Sequence, residues 1–93
     1  MYRVIVLYEN EPDAEQYAEH VKVCETVPNS VFRHGKIFGA PMGDPRFGYY
    51  AEFEFADKAA YDAGVRSGEF AATAKDVQDR GLEFPTVVFA EVS

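Results

Sequence analysis

The chain has 93 residues, of which 47% are hydrophobic, 15% aromatic and 27% charged, and its formal net charge is −7. A chain of this length and aromatic content holds one hydrophobic core, so we predict a single folded domain over residues 1–93. The excess of acidic side chains repels phosphate backbones and argues against nucleic acid as a partner. No apolar run approaches the roughly 20 residues that a membrane span needs, and a single cysteine cannot form an internal disulfide. We therefore expect a cytoplasmic protein with no membrane partner.

The first two predicted elements are a buried strand and an amphipathic helix. Residues Tyr2 to Tyr8 (YRVIVLY) are rich in β-branched and aromatic side chains, with apolar residues at both odd and even positions. Apolar side chains on both faces are typical of a central strand. Asp13 and Gln16 have the spacing of a capping box, which predicts a helix start. The helix should end near Val27, because Pro28 disfavours helical geometry in the residue before it. Its apolar face carries Tyr17, Val21, Cys24 and Pro28, with Ala14 and Ala18 beside them.

The middle of the chain predicts two strands separated by a loop. Residues Val31 to Phe38 (VFRHGKIF) alternate moderately and indicate the second strand, and Gly39 to Gly48 form a loop dense in Gly and Pro. Residues Tyr49 to Phe55 (YYAEFEF) alternate most clearly, so their side chains should divide between two faces of a sheet. One face carries Tyr49, Ala51, Phe53 and Phe55, and the other carries Tyr50, Glu52 and Glu54.

The remaining residues predict a second helical segment and a last strand. Asp57 caps a helix that Ser67-Gly68 interrupts, and a helical apolar stripe continues to Arg80-Gly81. The strand Thr86 to Val92 (TVVFAEV) follows Pro85, which suits a strand start or an edge. The order β-α-β-β-α-β predicts a ferredoxin-like α+β fold, a four-stranded antiparallel sheet with helices on one face. The uncovered face mixes polar and apolar residues, so we predict a homodimer in which two sheets pack together.

The sequence resembles the EthD-like proteins, which are named for ethyl tert-butyl ether degradation and belong to the dimeric α+β barrel superfamily. The segments MYRVIVLY and TVVFAEV resemble the family's first and last strands, and FEFADKAAYDAGVRSGEFAATAKDV resembles its second helical hairpin. His20 and Pro28 are similar to the family's His-x-Pro-Leu…Pro-Gly region, although Lys22-Val23 replaces Pro-Leu and Asn29 replaces Gly. The resemblance implies a dimeric α+β barrel and singles out His20. It implies no single reaction, since the superfamily includes cofactor-free monooxygenases of aromatic polyketides, lactone isomerases and haem proteins.

The candidate catalytic residues are His20 and Tyr17, which share one side of the first helix with Cys24. An imidazole beside a pocket can act as a general base or hydrogen-bond partner, and Tyr17 can orient it or donate to a substrate oxygen. The alternative is an ordinary, half-exposed helix histidine. The pattern leaves both open, because a one-residue helix rotation of about 100° moves His20 from a pocket to solvent.

The candidate substrate-binding residues lie on the second and third strands and in the loop between them. Tyr49 and Phe53 face the helices, where they form either core or an aromatic cavity for a flat apolar ligand. His34 can reach the same pocket or lie at a solvated edge. Arg46 and Phe47 belong to a loop that either covers the pocket mouth or only connects two strands.

We predict no metal site and no cofactor. His20 and Cys24 have a suitable spacing on a helix, but the third and fourth ligands that a zinc site needs are missing. The resulting functional hypothesis is a small EthD-like protein that binds a hydrophobic or aromatic metabolite between sheet and helices, as a cofactor-independent oxygenase or isomerase. The alternative is a non-catalytic, ligand-binding or accessory dimer of a degradation or biosynthetic pathway.

Overall fold

The computed structural model describes residues 1–93 and contains four strands and three helices. All strand pairs are antiparallel, and the strand order is β2-β3-β1-β4, with β1 inside the sheet as predicted. The ferredoxin-like α+β fold is therefore confirmed. The elements are β1 (Tyr2–Tyr8), α1 (Ala14–Cys24), β2 (Val31–Lys36), β3 (Tyr49–Phe55), α2 (Lys58–Val65), α3 (Gly68–Asp79) and β4 (Thr86–Glu91).

The helix starts follow from side chains that cap the first turn. Asp13 accepts a hydrogen bond from the backbone N–H of Gln16 at 3.0 Å, and Asp57 accepts one from Ala60 at 2.8 Å. Ser67 caps α3 in the same way, which is why the second helical segment is two helices. Each cap satisfies a backbone donor that the helix itself leaves unpaired.

Two predicted elements end at least two residues earlier than predicted, and β4 ends one residue earlier, at Glu91. Helix α1 ends at Cys24, and residues up to Val27 continue as a tighter turn, since the Val27 N–H donates to the Cys24 carbonyl. Strand β2 ends at Lys36, so Phe38 belongs to the following loop and is 96% exposed. The last pairing bond beyond β2 joins the Ile37 N–H to the Gly48 carbonyl, and no strand faces the residues after it.

The core lies between the helices and one face of the sheet. It contains Val4, Val6 and Tyr8 of β1 and Ala51, Phe53 and Phe55 of β3, packed against Tyr17, Cys24 and Val27. Helix α2 approaches the sheet closely at Gly64, where an added Cβ would clash with the Phe55 ring and lie 3.1 Å from the Pro28 carbonyl oxygen. A residue without a Cβ is therefore required there.

The opposite face of the sheet, called the outer face below, carries Tyr50, Glu52 and Glu54 as predicted. Glu52 is only 6% exposed and accepts hydrogen bonds from Arg33 at 3.1 Å and from the Tyr50 hydroxyl. Glu54 accepts a hydrogen bond from Arg3 at 3.1 Å. Apolar side chains flank this network, namely Ile5 and Leu7 of β1 and Val88 of β4. None of the three helices has the length and hydropathy that a membrane span requires.

Candidate functional site

A cavity of about 210 Å³ lies between the sheet and helices α1 and α3. Fourteen of its seventeen lining residues are hydrophobic, and no Lys, Arg, Asp or Glu lines it. The cavity opens beside the edge strand β4, where Phe84 is 71% exposed and Phe89 is 63% exposed. Apolar walls with few polar groups are typical of small-molecule sites. The phenylalanines that line it are Phe32, Phe53, Phe70, Phe84 and Phe89.

His20 lines this cavity and is 3% exposed, so it is not an ordinary, half-exposed helix histidine. Its Nδ1 lies 2.7 Å from Asp76 Oδ2 on α3, and its Nε2 lies 3.3 Å from Cys24 Sγ one turn along α1. Asp76 also accepts a hydrogen bond from Arg80 Nε at 2.8 Å. Both ring nitrogens therefore have partners, and the ring orientation is fixed from two helices.

The ionisation of these partners sets the proton positions on the ring. Burial alone would raise the pKa of Asp76, but hydrogen bonds from His20 and Arg80 outweigh burial and hold that pKa below its ordinary value. Asp76 is thus a carboxylate at neutral pH, which can only accept a hydrogen bond, so Nδ1 of His20 carries a proton. Burial raises the pKa of Cys24 to about 12, so its thiol stays protonated and donates to Nε2.

Tyr17 lies in the cavity wall beside His20, with its ring centroid 5.4 Å from that of the imidazole. Tyr17 also packs edge-to-face with Tyr8, which lines the cavity too, and their ring centroids are 5.7 Å apart. Burial raises the pKa of Tyr17, and it raises that of Tyr8 to about 12. Both side chains are therefore neutral phenols that can donate a hydrogen bond.

The other predicted binding residues separate into one that lines the cavity and four that do not. Phe53 is buried in the cavity floor. His34 and Tyr49 lie behind Tyr17, where His34 Nδ1 and the Tyr49 hydroxyl are 2.7 Å apart. Arg46 and Phe47 contact each other in the loop, with the guanidinium 5.0 Å from the ring centroid. This loop follows β2 at one sheet edge, whereas the cavity opens at the other edge beside β4.

Sequence reasoning missed Asp76 and the contribution of α3 to the cavity wall. Asp76 immediately precedes Val77, the buried residue of α3, and lies four residues before Arg80. Those positions signal a helix edge next to the core, but they do not identify the partner on another helix. No group of three or more His, Cys, Asp or Glu side chains is arranged to hold a metal ion. That no metal or cofactor is bound stays a prediction.

The comparison with known proteins rests on solved structures, since no family model and no curated protein matches the chain. One similar structure is an EthD family protein from Bacillus halodurans, with 25% sequence identity and a TM-score of 0.78. The match covers 100% of this chain and 99% of that chain. The chain is similar to an EthD family protein over its whole length. The resemblance found in the sequence is thus confirmed.

Two further structures share the fold of this chain. A dimeric ferredoxin-like protein of unknown function from Jannaschia sp. is 22% identical, with a TM-score of 0.71 and 98% coverage of both chains. An antibiotic biosynthesis monooxygenase is 19% identical, with a TM-score of 0.56, covering 100% of this chain and 99% of that chain. At these identities the comparison shows the fold alone.

The structure also explains one departure from the EthD-like sequence pattern. Asn29 replaces the glycine of the family's Pro-Gly pair, and its φ of 64° lies in the left-handed region. Glycine adopts this conformation freely, and asparagine tolerates it better than most other residues. The turn between α1 and β2 is therefore compatible with either residue.

Proposed function

We propose that this protein binds a small aromatic metabolite in the cavity between sheet and helices. His20 acts on it as a general base, in a cofactor-independent isomerisation or in an oxygenation with dioxygen as the oxidant. One observation carries the proposal: a buried imidazole lines an apolar cavity while a carboxylate holds its other nitrogen at 2.7 Å. This arrangement leaves Nε2 as the nitrogen that can take a proton.

The chemistry follows from the groups around the ring. Asp76 accepts the Nδ1–H and stabilises the imidazolium that forms when Nε2 receives a proton. Suitable substrate protons lie on a ring hydroxyl or on a carbon next to a carbonyl group. The hydroxyls of Tyr8 and Tyr17 are hydrogen-bonded to each other, with Tyr17 donating, so the Tyr8 hydroxyl is the candidate donor to the oxygen that gains charge. In an apolar cavity these interactions are stronger than in water.

The first experiment identifies the ligand and then tests the base. Native mass spectrometry of the protein purified from its own host should reveal a noncovalent ligand, which denaturing conditions release. With that compound as substrate, His20→Gln should lower kcat by roughly 10²- to 10⁴-fold, the usual contribution of a general base. His34→Gln is the matched control and should keep its activity, because His34 lies outside the cavity lining. Full activity in His20→Gln would refute the proposed role of His20.

A specific contact favours a second candidate function, a non-catalytic ligand carrier or accessory protein. The Cys24 thiol lies 3.3 Å from Nε2 of His20 and donates to it, so a substrate must displace the thiol before the base can act. A carrier would bind its ligand and release it chemically unchanged. Incubation of the identified ligand with the protein under air, followed by chromatography, separates the two functions, since only a catalyst produces a new compound.

We further propose that the protein is a homodimer joined through the outer face. Two copies with a net charge of −7 repel each other. On this face, however, Arg3 and Arg33 neutralise Glu52 and Glu54, and apolar Ile5 lies beside them. A similar protein from Jannaschia sp. is described as dimeric.

Light scattering at micromolar concentration tests this assembly. The wild-type protein should have the mass of a dimer. Ile5→Asp should give a monomer, because it places an unpaired charge in the contact. Met42→Asp, in an exposed loop, is the control and should remain dimeric. A wild-type monomer would refute the proposed dimer.

A further inference from the structure

We infer that the ligand of this cavity is an uncharged hydroxyarene of one or two fused rings, held by a hydrogen bond from its hydroxyl group to Nε2 of His20. The inference rests on the proposed ligand-binding function and narrows it to a chemical class. Three features carry it: the cavity volume, the absence of a lining charge, and the weak donor that Nε2 now has.

The volume limits the number of rings. A dry apolar cavity of about 150 Å³ holds one benzene ring. The present cavity of about 210 Å³ is larger than that, but it is smaller than two such cavities. It accepts a substituted single ring or two fused rings. Larger ring systems would extend past Phe84 and Phe89 into solvent and leave part of their apolar surface exposed.

The residues that line the cavity determine which ligand charge it can accept. Burying an ionised group without a counter-ion is unfavourable, and no Lys or Arg lines the cavity. Arg80 pairs with Asp76 behind His20. The Asp76 carboxylate would also neutralise any imidazolium that formed, so a carboxylate ligand finds no unpaired cation. Phenylalanine rings on several sides instead suit a planar neutral ligand.

The hydrogen-bond partner follows from the present contact of His20. Cys24 Sγ lies 3.3 Å from Nε2, and a thiol is a weak donor. A phenolic O–H is a stronger donor and can displace the thiol, because both groups would approach Nε2 from the cavity side. The Thr73 hydroxyl donates its proton to the Phe70 carbonyl at 2.6 Å, so it is not a free donor to the ligand. The site thus selects a hydroxyl donor.

The probe that tests this inference is 2-naphthol, which is fluorescent, bicyclic and neutral at pH 7. The chain has no tryptophan, so naphthol emission can be excited selectively. Titration should show saturable binding. Naphthalene, which lacks the hydroxyl, should bind on the order of tenfold more weakly, the loss expected for one hydrogen bond. The carboxylate 2-naphthoate and the larger 1-hydroxypyrene should also bind more weakly than 2-naphthol.

Two variants test the hydrogen bond itself. His20→Phe should remove the preference for 2-naphthol over naphthalene, whereas the control His34→Phe should keep it. Cys24→Ala should tighten 2-naphthol binding several-fold, because the ligand no longer displaces a thiol, and should affect naphthalene less. Thermal melts verify that each variant is folded. If His20→Phe does not fold, the affinities of Cys24→Ala and wild type for 2-naphthol and naphthalene still test the hydrogen bond to Nε2.

The outcomes separate this inference from the proposed function. Equal binding of naphthalene and 2-naphthol would overturn the hydrogen bond to His20. Tighter binding of 2-naphthoate or 1-hydroxypyrene would overturn the assigned charge or size. In each of these cases the cavity still binds an aromatic ligand, so the proposed function survives. If none of the four probes binds, both the inference and the proposed aromatic-binding function fail.

Discussion

The two faces of the sheet differ sharply at neighbouring positions of β1 and β3. On the helix-covered face, Val4 lies opposite Phe53, and both are almost fully buried. On the outer face, the neighbouring residues Arg3 and Glu54 lie opposite each other and form an ion pair. Adjacent residues of the same two strands thus serve different purposes. The helix-covered face supplies most of the buried apolar surface and encloses the cavity. The outer face combines a neutralised charge network with apolar neighbours, which suits contact with a second sheet.

The largest effect is expected from truncation on the helix-covered face. Phe55→Ala should lower the free energy of unfolding by about 3 to 5 kcal/mol, because it leaves a void beneath α2. Urea denaturation at fixed protein concentration measures the loss. Val88→Ala on the outer face is the control. It removes two methyl groups from a side chain that is 44% exposed in the single chain, so its loss should be smaller than that of Phe55→Ala also when a second copy covers this face. Equal losses would mean that the two faces contribute alike, contrary to this comparison.

An intermediate effect is expected from the charge network of the outer face. Glu52→Gln should lower the free energy of unfolding by about 1.5 to 3 kcal/mol, the usual contribution of a hydrogen bond to a charged group. It removes the carboxylate that pairs with Arg33 and leaves that arginine without its nearest buried partner. Glu54→Gln, at a more exposed site, should cost less. If both variants unfold like the wild type, the network serves no stabilising role.

The smallest effect is expected from Asp76 and depends on pH. Its pKa is lowered in the folded protein, so its contribution is fully present above its ordinary value of 3.8 and is lost as the pH falls through the folded-state pKa. Asp76→Asn should cost about 1 kcal/mol near pH 7, because the amide oxygen still accepts a hydrogen bond.

Unfolding curves between neutral and strongly acidic pH check this expectation. The difference between wild type and Asp76→Asn should shrink as the pH falls below 3.8. Asp79→Asn, an exposed neighbour that pairs with Lys75, serves as the control for the loss of one acidic group. A constant difference at all pH values would indicate that the Asp76 charge does not stabilise the fold.

Much of the fold could be predicted because its signals are local. Alternation along β3 separates Phe53 from Glu52 whatever surrounds the strand, since successive side chains point to opposite faces. The caps at Asp13 and Asp57 depend on backbone donors only three residues away. The end of β2 at Lys36 could not be predicted from local signals, because a strand ends where its pairing ends and the pairing partner β3 follows a long loop.

The candidate site depends both on local helical spacing and on the packing of distant elements. Helical spacing alone places His20, Tyr17 and Cys24 on one helix side, because residues three and four apart lie next to each other. Only the tertiary structure brought Asp76 to His20, a contact between residues 56 positions apart that depends on how α1 packs on α3. It also placed Arg46 and Phe47 away from the cavity mouth. Local periodicity determines which side chains share a face, whereas the packing of distant elements decides which faces meet.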